Sequence, residues 1–312
     1  MIKIEDFSFL DSSVMSYGGH AGSKKGVIID GEKWFLKYPK STKSMDVQGL
    51  SYSTSPLSEY LGSHIYESLG IDAHKTRLEY ANNKIVVACK DFLGTNEIII
   101  DYNMIKNEYD EVIEKGIDKL SSSNLESSNN NLEEILFIME NNSYFKSIKE
   151  LKTRFWDMFI IDAFISNNDR NETNWGLILN KDTSNLRISP VYDNGESFYN
   201  KSSDERLINI YEDDFKFKQS IYDSSVSIYR LNGKAINPLK YIESMKNIDC
   251  NNAIKRLVPK INMDIIENIF NELPEEYNGL PVLSDTQKKY YLRSLEYKYN
   301  NILLPTYKKL IE

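Results

Sequence analysis

The chain has 312 residues and a mass of 36.2 kDa, enough for two lobes with their own cores and too much for a peptide hormone or a lone binding module. Hydrophobic residues make up 41% and charged residues 27%, with 14 Gly and 8 Pro, which excludes a disordered or collagen-like chain. The 38 basic and 46 acidic side chains leave a net charge of −8, so the overall field repels nucleic acid and anionic membrane, and neither is expected as a partner.

The start, MIKIEDFSFLDSS, has no apolar run behind a basic region, so no secretory signal is read there. No stretch approaches the roughly 20 apolar residues needed to span a bilayer. Cys89 and Cys250 are too far apart in sequence for a close-spaced pair, so neither a disulfide framework nor a zinc site is indicated. The cytoplasm is the expected compartment, with signal-independent export to a host cell left open.

Strand and turn signals fill the first ninety residues. Ile2, Ile4, Phe7 and Phe9 alternate, and a Gly-rich loop with Gly18, Gly19 and Gly22 follows. The runs 27–29 and 34–37 then flank Asp30-Gly31, a dipeptide suited to the positive φ angles of a tight hairpin. Alternation puts Phe35 and Lys37 on one face of the second strand, Trp34 and Leu36 on the other. A helix is predicted from Ser55 as cap, with Pro56 in its first turn and Leu57, Leu61, Ile65 and Leu69 as its apolar stripe. Glu59 lies about 200° around the helix from Leu61 and points away from that stripe. Strands over 75–80 and 84–92 are joined by Asn82-Asn83.

Beyond residue 93 the pattern is mostly helical, broken by a low-complexity Ser/Asn tract at 121–131 that reads as a flexible loop. The segment 153–166 is apolar almost all round and is predicted to be the buried central helix of the larger lobe. A polar loop at 168–174 follows, then strands over 175–179 and 186–191 around a turn at 180–185. The last long helix is predicted from a capping box of Ser284 and Gln287 to about Leu303, before Pro305. The fold expected is α+β and bilobal: a small antiparallel sheet lobe with one helix over 1–93, and a larger, mainly helical lobe over 94–312.

Four polar features stand out in chain order. Lys37 alone is an ordinary strand lysine, and Glu59 alone is surface decoration, unless the helix packs across the sheet and lets the carboxylate hold the ammonium. Asp169 and Asn174 stand five positions apart directly after the buried helix, and Asp193 ends the returning strand in Tyr192-Asp193-Asn194-Gly195. Phosphoryl transfer requires such a set: a carboxylate near the attacking hydroxyl, an amide oxygen and a second carboxylate for Mg²⁺, and a lysine on the phosphates. Gly18, Gly19 and Gly22 allow backbone N–H groups to approach phosphate closely, although a plain flexible turn explains the same letters. His20, His64 and His74 share no metal-binding spacing.

In these residues, and in their order along nearly the whole chain, the sequence resembles the HipA-like kinases of the protein-kinase-like fold, most closely the short CtkA type. The resemblance rests on the loop with Gly18, Gly19, Gly22 and Ser23, the strand Trp34-Phe35-Leu36-Lys37, Glu59, the 168–174 loop and Asp193-Asn194-Gly195. It implies ATP and Mg²⁺ as cofactors, Lys37 on the α and β phosphates with Glu59 as its partner, Asp169 as catalytic base, and Asn174 and Asp193 as Mg²⁺ ligands. Backbone groups at Lys90 or Phe92, in the connection between lobes, would pair with adenine, though a simple buried strand accounts for that segment equally well. The family's loop often carries His two positions after the Asp, where this chain has Asn171. The Asp-Phe-Gly of typical protein kinases is replaced by Asp193-Asn194-Gly195.

The function expected is an ATP- and Mg²⁺-dependent serine/threonine protein kinase with an unidentified protein substrate, autophosphorylating at Ser16 or Ser23. Two alternatives stay open: a phosphotransferase acting on an antibiotic, sugar or lipid, and a binding protein on a kinase-like fold without turnover.

Overall fold

The computed structural model describes residues 1–10, 24–43, 50–107, 130–148, 150–223 and 228–312. Ser16, Gly18, Gly19, Gly22, Ser23 and most of the 121–131 tract lie outside the described residues. The chain divides into two units, one of Met1–Phe92, Tyr192–Ile221 and Lys260–Tyr299, the other of Leu93–Val191, Tyr222–Pro259 and Asn300–Glu312. These differ from a division into 1–93 and 94–312 in that two later segments fold with the N-terminal sheet.

The first unit is built on an antiparallel sheet of β1 (Lys24–Ile29), β2 (Glu32–Lys37), β3 (Thr76–Ala81) and β4 (Lys84–Lys90), in the order β1-β2-β4-β3. Asp30 and Gly31 turn the first hairpin with φ of 52° and 79°, the consecutive positive values that a two-residue turn of this hand demands. Asn82 and Asn83 do the same between β3 and β4, with φ of 51° and 59°. Alternation works as predicted: Trp34 and Leu36 are buried with Val27, Ile29, Val86, Ala88 and Phe7, and Lys37 is on the opposite face. The first residues form no strand; Asp6 bridges Tyr80, while Phe9 is exposed.

The helix Ser55–Ser68 packs on β3 and β4 and buries Leu57, Leu61 and Ile65. Its start corrects the expectation by one residue. Ser55 is already helical, and Thr54 stands at the cap without a side-chain hydrogen bond. Pro56 fits the first turn, where a missing N–H costs nothing.

The capping box of Ser284 and Gln287 is present, with both reciprocal hydrogen bonds, and it opens the helix Asp285–Lys298. That helix ends earlier than predicted but the chain does not leave helical conformation. A π-helical turn over Tyr299–Leu303 leads into a further helix, Leu304–Ile311, with Pro305 in its first turn, where no donor is required of it. No helix among the described residues is long and apolar enough to cross a membrane.

The second unit has a three-stranded antiparallel sheet of β5 (Glu97–Asp101), β6 (Gly176–Asn180) and β7 (Leu186–Ile188), β6 lying in the middle. β5 is absent from the sequence reading, because a run of three isoleucines between Glu97 and Asp101 is too short to show a period of its own. β7 stops at Ile188, three residues short of the expected end. The predicted central helix is Leu151–Ile165, and Phe155, Trp156, Phe159, Ile160, Ile161 and Phe164 are all buried, each contributing roughly 1.5–3 kcal/mol. Trp175, just before β6, stacks on Tyr102 at 4.6 Å and packs against Phe155, which joins helix and sheet in one core.

Candidate active site

In the first unit, Lys37, Glu59 and Asp193 come together. The Lys37 ammonium donates to Glu59 Oε2 at 2.7 Å and to Asp193 Oδ1 at 2.6 Å. The predicted rotation of Glu59 away from the leucine stripe is what aims it at β2. It is no surface residue, however: its side chain is 1% exposed. Burial alone would raise the Glu59 pKa, but the Lys37 ammonium and His74 hold it well below the usual carboxylate range. Burial likewise opposes charge on Lys37, and the two carboxylates overcome it and push the lysine pKa up.

Glu59 is held from behind as well. Asn194 N donates to Glu59 Oε1 at 2.9 Å, and His74 Nε2 lies 2.8 Å from the same oxygen. Asn194 Nδ2 reaches Ser63 Oγ at 3.1 Å on the same helix. A Cβ at Gly195 would stand 3.2 Å from Glu59 Oε2 and 3.4 Å from the Ser55 carbonyl, so a side chain there would press on the Glu59 carboxylate and shift it by a few tenths of an ångström. Asp193 itself has φ 61°, a conformation that costs a non-glycine residue about 1 kcal/mol and is held by these contacts.

In the second unit, the loop after the central helix closes on itself around Asp169 and Asn174. Ser166 takes φ 58° and ends the helix. Arg170 turns back into the protein, where its Nε and Nη2 donate to the two carboxylate oxygens of Asp162 at 2.9 and 3.0 Å. Its Nη1 donates to the Asn174 carbonyl at 3.2 Å. Asn167 Nδ2 donates to Asp162 Oδ1 at 3.0 Å, and Asn167 Oδ1 accepts the Asp169 N–H at 3.2 Å. Asn174 Nδ2 closes the ring on the Asp169 carbonyl at 2.7 Å. Asn171 points its amide at Asp169 Oδ1, 3.3 Å away.

No protein-family model matches the chain. It is 29% identical to the serine/threonine-protein kinase CtkA of Helicobacter pylori over 98% of this chain and 89% of that one. The crystal structure of the Helicobacter pylori proinflammatory kinase CtkA superposes with a TM-score of 0.83 at 27% identity, covering 98% of each chain. The chain is thus a homologue of the CtkA kinase along nearly its whole length, in sequence and in fold. The Shewanella oneidensis HipA structure, solved with HipB and operator DNA, supports the fold alone, with a TM-score of 0.56 at 10% identity over 96% of this chain and 70% of that one. By its homology with CtkA the chain is a phosphotransferase.

The donor chemistry of the two groups of residues suits Mg²⁺, which takes oxygen ligands. One ammonium faces two carboxylates in the first unit, leaving a net negative charge. Asp193 Oδ2 makes no hydrogen bond among the described residues, and 39% of the side chain is exposed. Burial works against ionisation of Asp193, and the Lys37 ammonium overrides it, so the carboxylate is held anionic. In the second unit the Asn174 amide is oriented by its Nδ2 bond, and among the described residues its Oδ1 has only a long contact from Thr173. Of the adenine candidates, Lys90 donates its N–H to the Lys75 carbonyl at 2.9 Å, so that donor is already used within the sheet lobe. Phe92 packs its ring against Tyr192, the residue before Asp193, with centroids 5.6 Å apart.

Three positioning side chains escaped the sequence reading: His74, Asp162 and Arg170. Asp162 carried a usable signal, since a carboxylate in a helix that is apolar all round must find a buried partner. Lys37→Ala is expected to lower kcat/KM by about a hundredfold, the scale for removing one preorganised electrostatic contact. Steady-state kinetics check it, and unchanged activity would contradict the kinase-like reading of this unit.

Proposed function

We propose that the chain is an ATP- and Mg²⁺-dependent kinase that phosphorylates serine or threonine side chains of proteins, itself among them. The observation that carries this reading is the Lys37–Glu59–Asp193 ion triad, fully formed and braced by His74 and the Asn194 N–H. Glu59 keeps the Lys37 ammonium in place to neutralise the α and β phosphates of ATP. Asp169 accepts the proton of the attacking hydroxyl as the new O–P bond forms and the bond from the γ-phosphorus to ADP breaks. Mg²⁺ would be held by Asp193 and Asn174 and would neutralise charge on the phosphate oxygens. Arg170 and Asp162 take no part in bond making; they hold the loop that presents Asp169.

The test is incubation of the purified chain with ATP and Mg²⁺, then intact mass and phosphosite mapping. Phosphate on serine or threonine is expected, at Ser16 or Ser23, and chelation of the metal should abolish it. Phosphate transferred only to an added antibiotic, sugar or lipid would overturn the protein-kinase reading.

A further inference from the structure

We propose that Lys106 is a positioning residue for phosphoryl transfer: it grips the 168–174 loop at Glu172 and so keeps Asp169 and Asn174 in place. This rests on the reading of that loop as catalytic. Glu172 lies three residues after Asp169 and two before Asn174, and it is the one acidic residue of the loop's middle that turns inward. Its side chain is only 9% exposed. A carboxylate so buried is tolerated only when paired and hydrogen-bonded.

The pairing comes from the short helix Tyr102–Lys106, which follows β5. Lys106 Nζ donates to Glu172 Oε1 at 2.9 Å, and the backbone N–H of Asn130 donates to the same oxygen at 3.1 Å. The first turn of the helix adds two backbone bonds, from Asn103 N to the Glu172 carbonyl at 3.0 Å and from Tyr102 N to the Trp175 carbonyl at 3.0 Å. Lys106 also reaches Glu134 Oε1, at 3.0 Å, on the helix Leu132–Asn141. Burial opposes its charge, and the bonds to Glu172 and Glu134 more than restore it.

A shift at Glu172 cannot remain local. Asn171, its neighbour, accepts the Asn174 N–H through its carbonyl at 3.0 Å, and its own N–H goes to the Asp169 carbonyl at 2.8 Å. The backbone that carries the base and the amide ligand is therefore one hydrogen-bonded ring. Without the ammonium, the buried Glu172 carboxylate is left without its cation, and turning toward water draws the ring outward. Displacement of a reacting group by about 1 Å costs on the order of a hundredfold in rate.

Glu134 supplies the control, because it is as buried as Glu172 and pairs with the same lysine but lies outside the loop. The experiment compares Lys106→Met, Lys106→Arg, Glu172→Gln and Glu134→Gln in the full chain by steady-state phosphorylation kinetics. Lys106→Met and Glu172→Gln should lower kcat by about ten- to a hundredfold with KM for ATP within about twofold, and Lys106→Arg should recover most of the rate. Glu134→Gln should stay within about twofold of wild type. Equal losses in the two glutamine variants, a loss confined to KM, or wild-type kcat in Lys106→Met would overturn the proposal. If Lys106→Met does not fold, the two near-isosteric glutamine variants decide alone. A wild-type chain that transfers no phosphate would overturn the catalytic reading and this proposal with it, whereas an active wild type with an indifferent Lys106 overturns the proposal only.

Discussion

Asp169→Asn is expected to lower kcat by at least about a hundredfold and to leave nucleotide affinity nearly unchanged, within the roughly 10²–10⁴-fold range of general-base catalysis. The substitution is close to isosteric, so an asparagine oxygen can still accept from the Asn171 amide, and three further bonds of the loop to this residue run through the backbone. Asn167 accepts the Asp169 N–H, and Asn174 and Asn171 donate to its carbonyl. None of these three bonds depends on the carboxylate, so the loop should keep its shape while the group that accepts the proton is gone. The nucleotide contacts assigned to Lys37 and Glu59 are untouched by the change. Single-turnover rates and the ATP-induced shift in melting temperature separate the two quantities. A variant with near wild-type rate would remove Asp169 from the mechanism, and one that lost nucleotide affinity in proportion to rate would make Asp169 a binding residue instead.

The legible features were those that short-range rules encode. Asp30-Gly31 specified a hairpin because few residues tolerate its φ angles, and the alternation that followed placed Lys37 on the face away from Trp34 and Leu36. The four-residue spacing of Leu57, Leu61 and Ile65 fixed the rotation of Glu59, and Ser284 with Gln287 fixed a helix start. What escaped was set by pairing between distant positions. β5 forms because Glu97–Asp101 finds β6, some eighty residues on; its three β-branched isoleucines favour a strand but are too few to carry a period. His74 sits just before β3 with no spacing to any other ligand type, and its value lies in meeting Glu59. Pro305 was read as a stop, although a proline at the first turn of a new helix is no obstacle. Arg170 read as one more polar letter of a polar loop, whereas it is among the largest fully buried side chains of the protein.

That burial makes Asp162→Ala the substitution with the largest expected effect on stability. Arg170 is 1% exposed, and both of its donor bonds to a carboxylate go to Asp162, itself 5% exposed. Removing one partner of a buried pair leaves an uncompensated charge, which typically costs about 3–5 kcal/mol. The Asn167 amide loses its acceptor as well. Replacing both partners is a different case, since an apolar pair of similar volume removes the charge with its counter-charge and is often neutral for stability. Asp162→Leu with Arg170→Met should therefore recover most of the stability lost in Asp162→Ala, as read by denaturant titration of tryptophan fluorescence, to which the buried Trp156 and Trp175 report from the same unit. Activity should not recover with it, because the double variant has no group to hold the Asn174 carbonyl that Arg170 Nη1 holds. Recovery of both together would show that the pair serves the core alone, and a single-variant loss below about 1 kcal/mol would show that Arg170 finds water or another acceptor when Asp162 is gone.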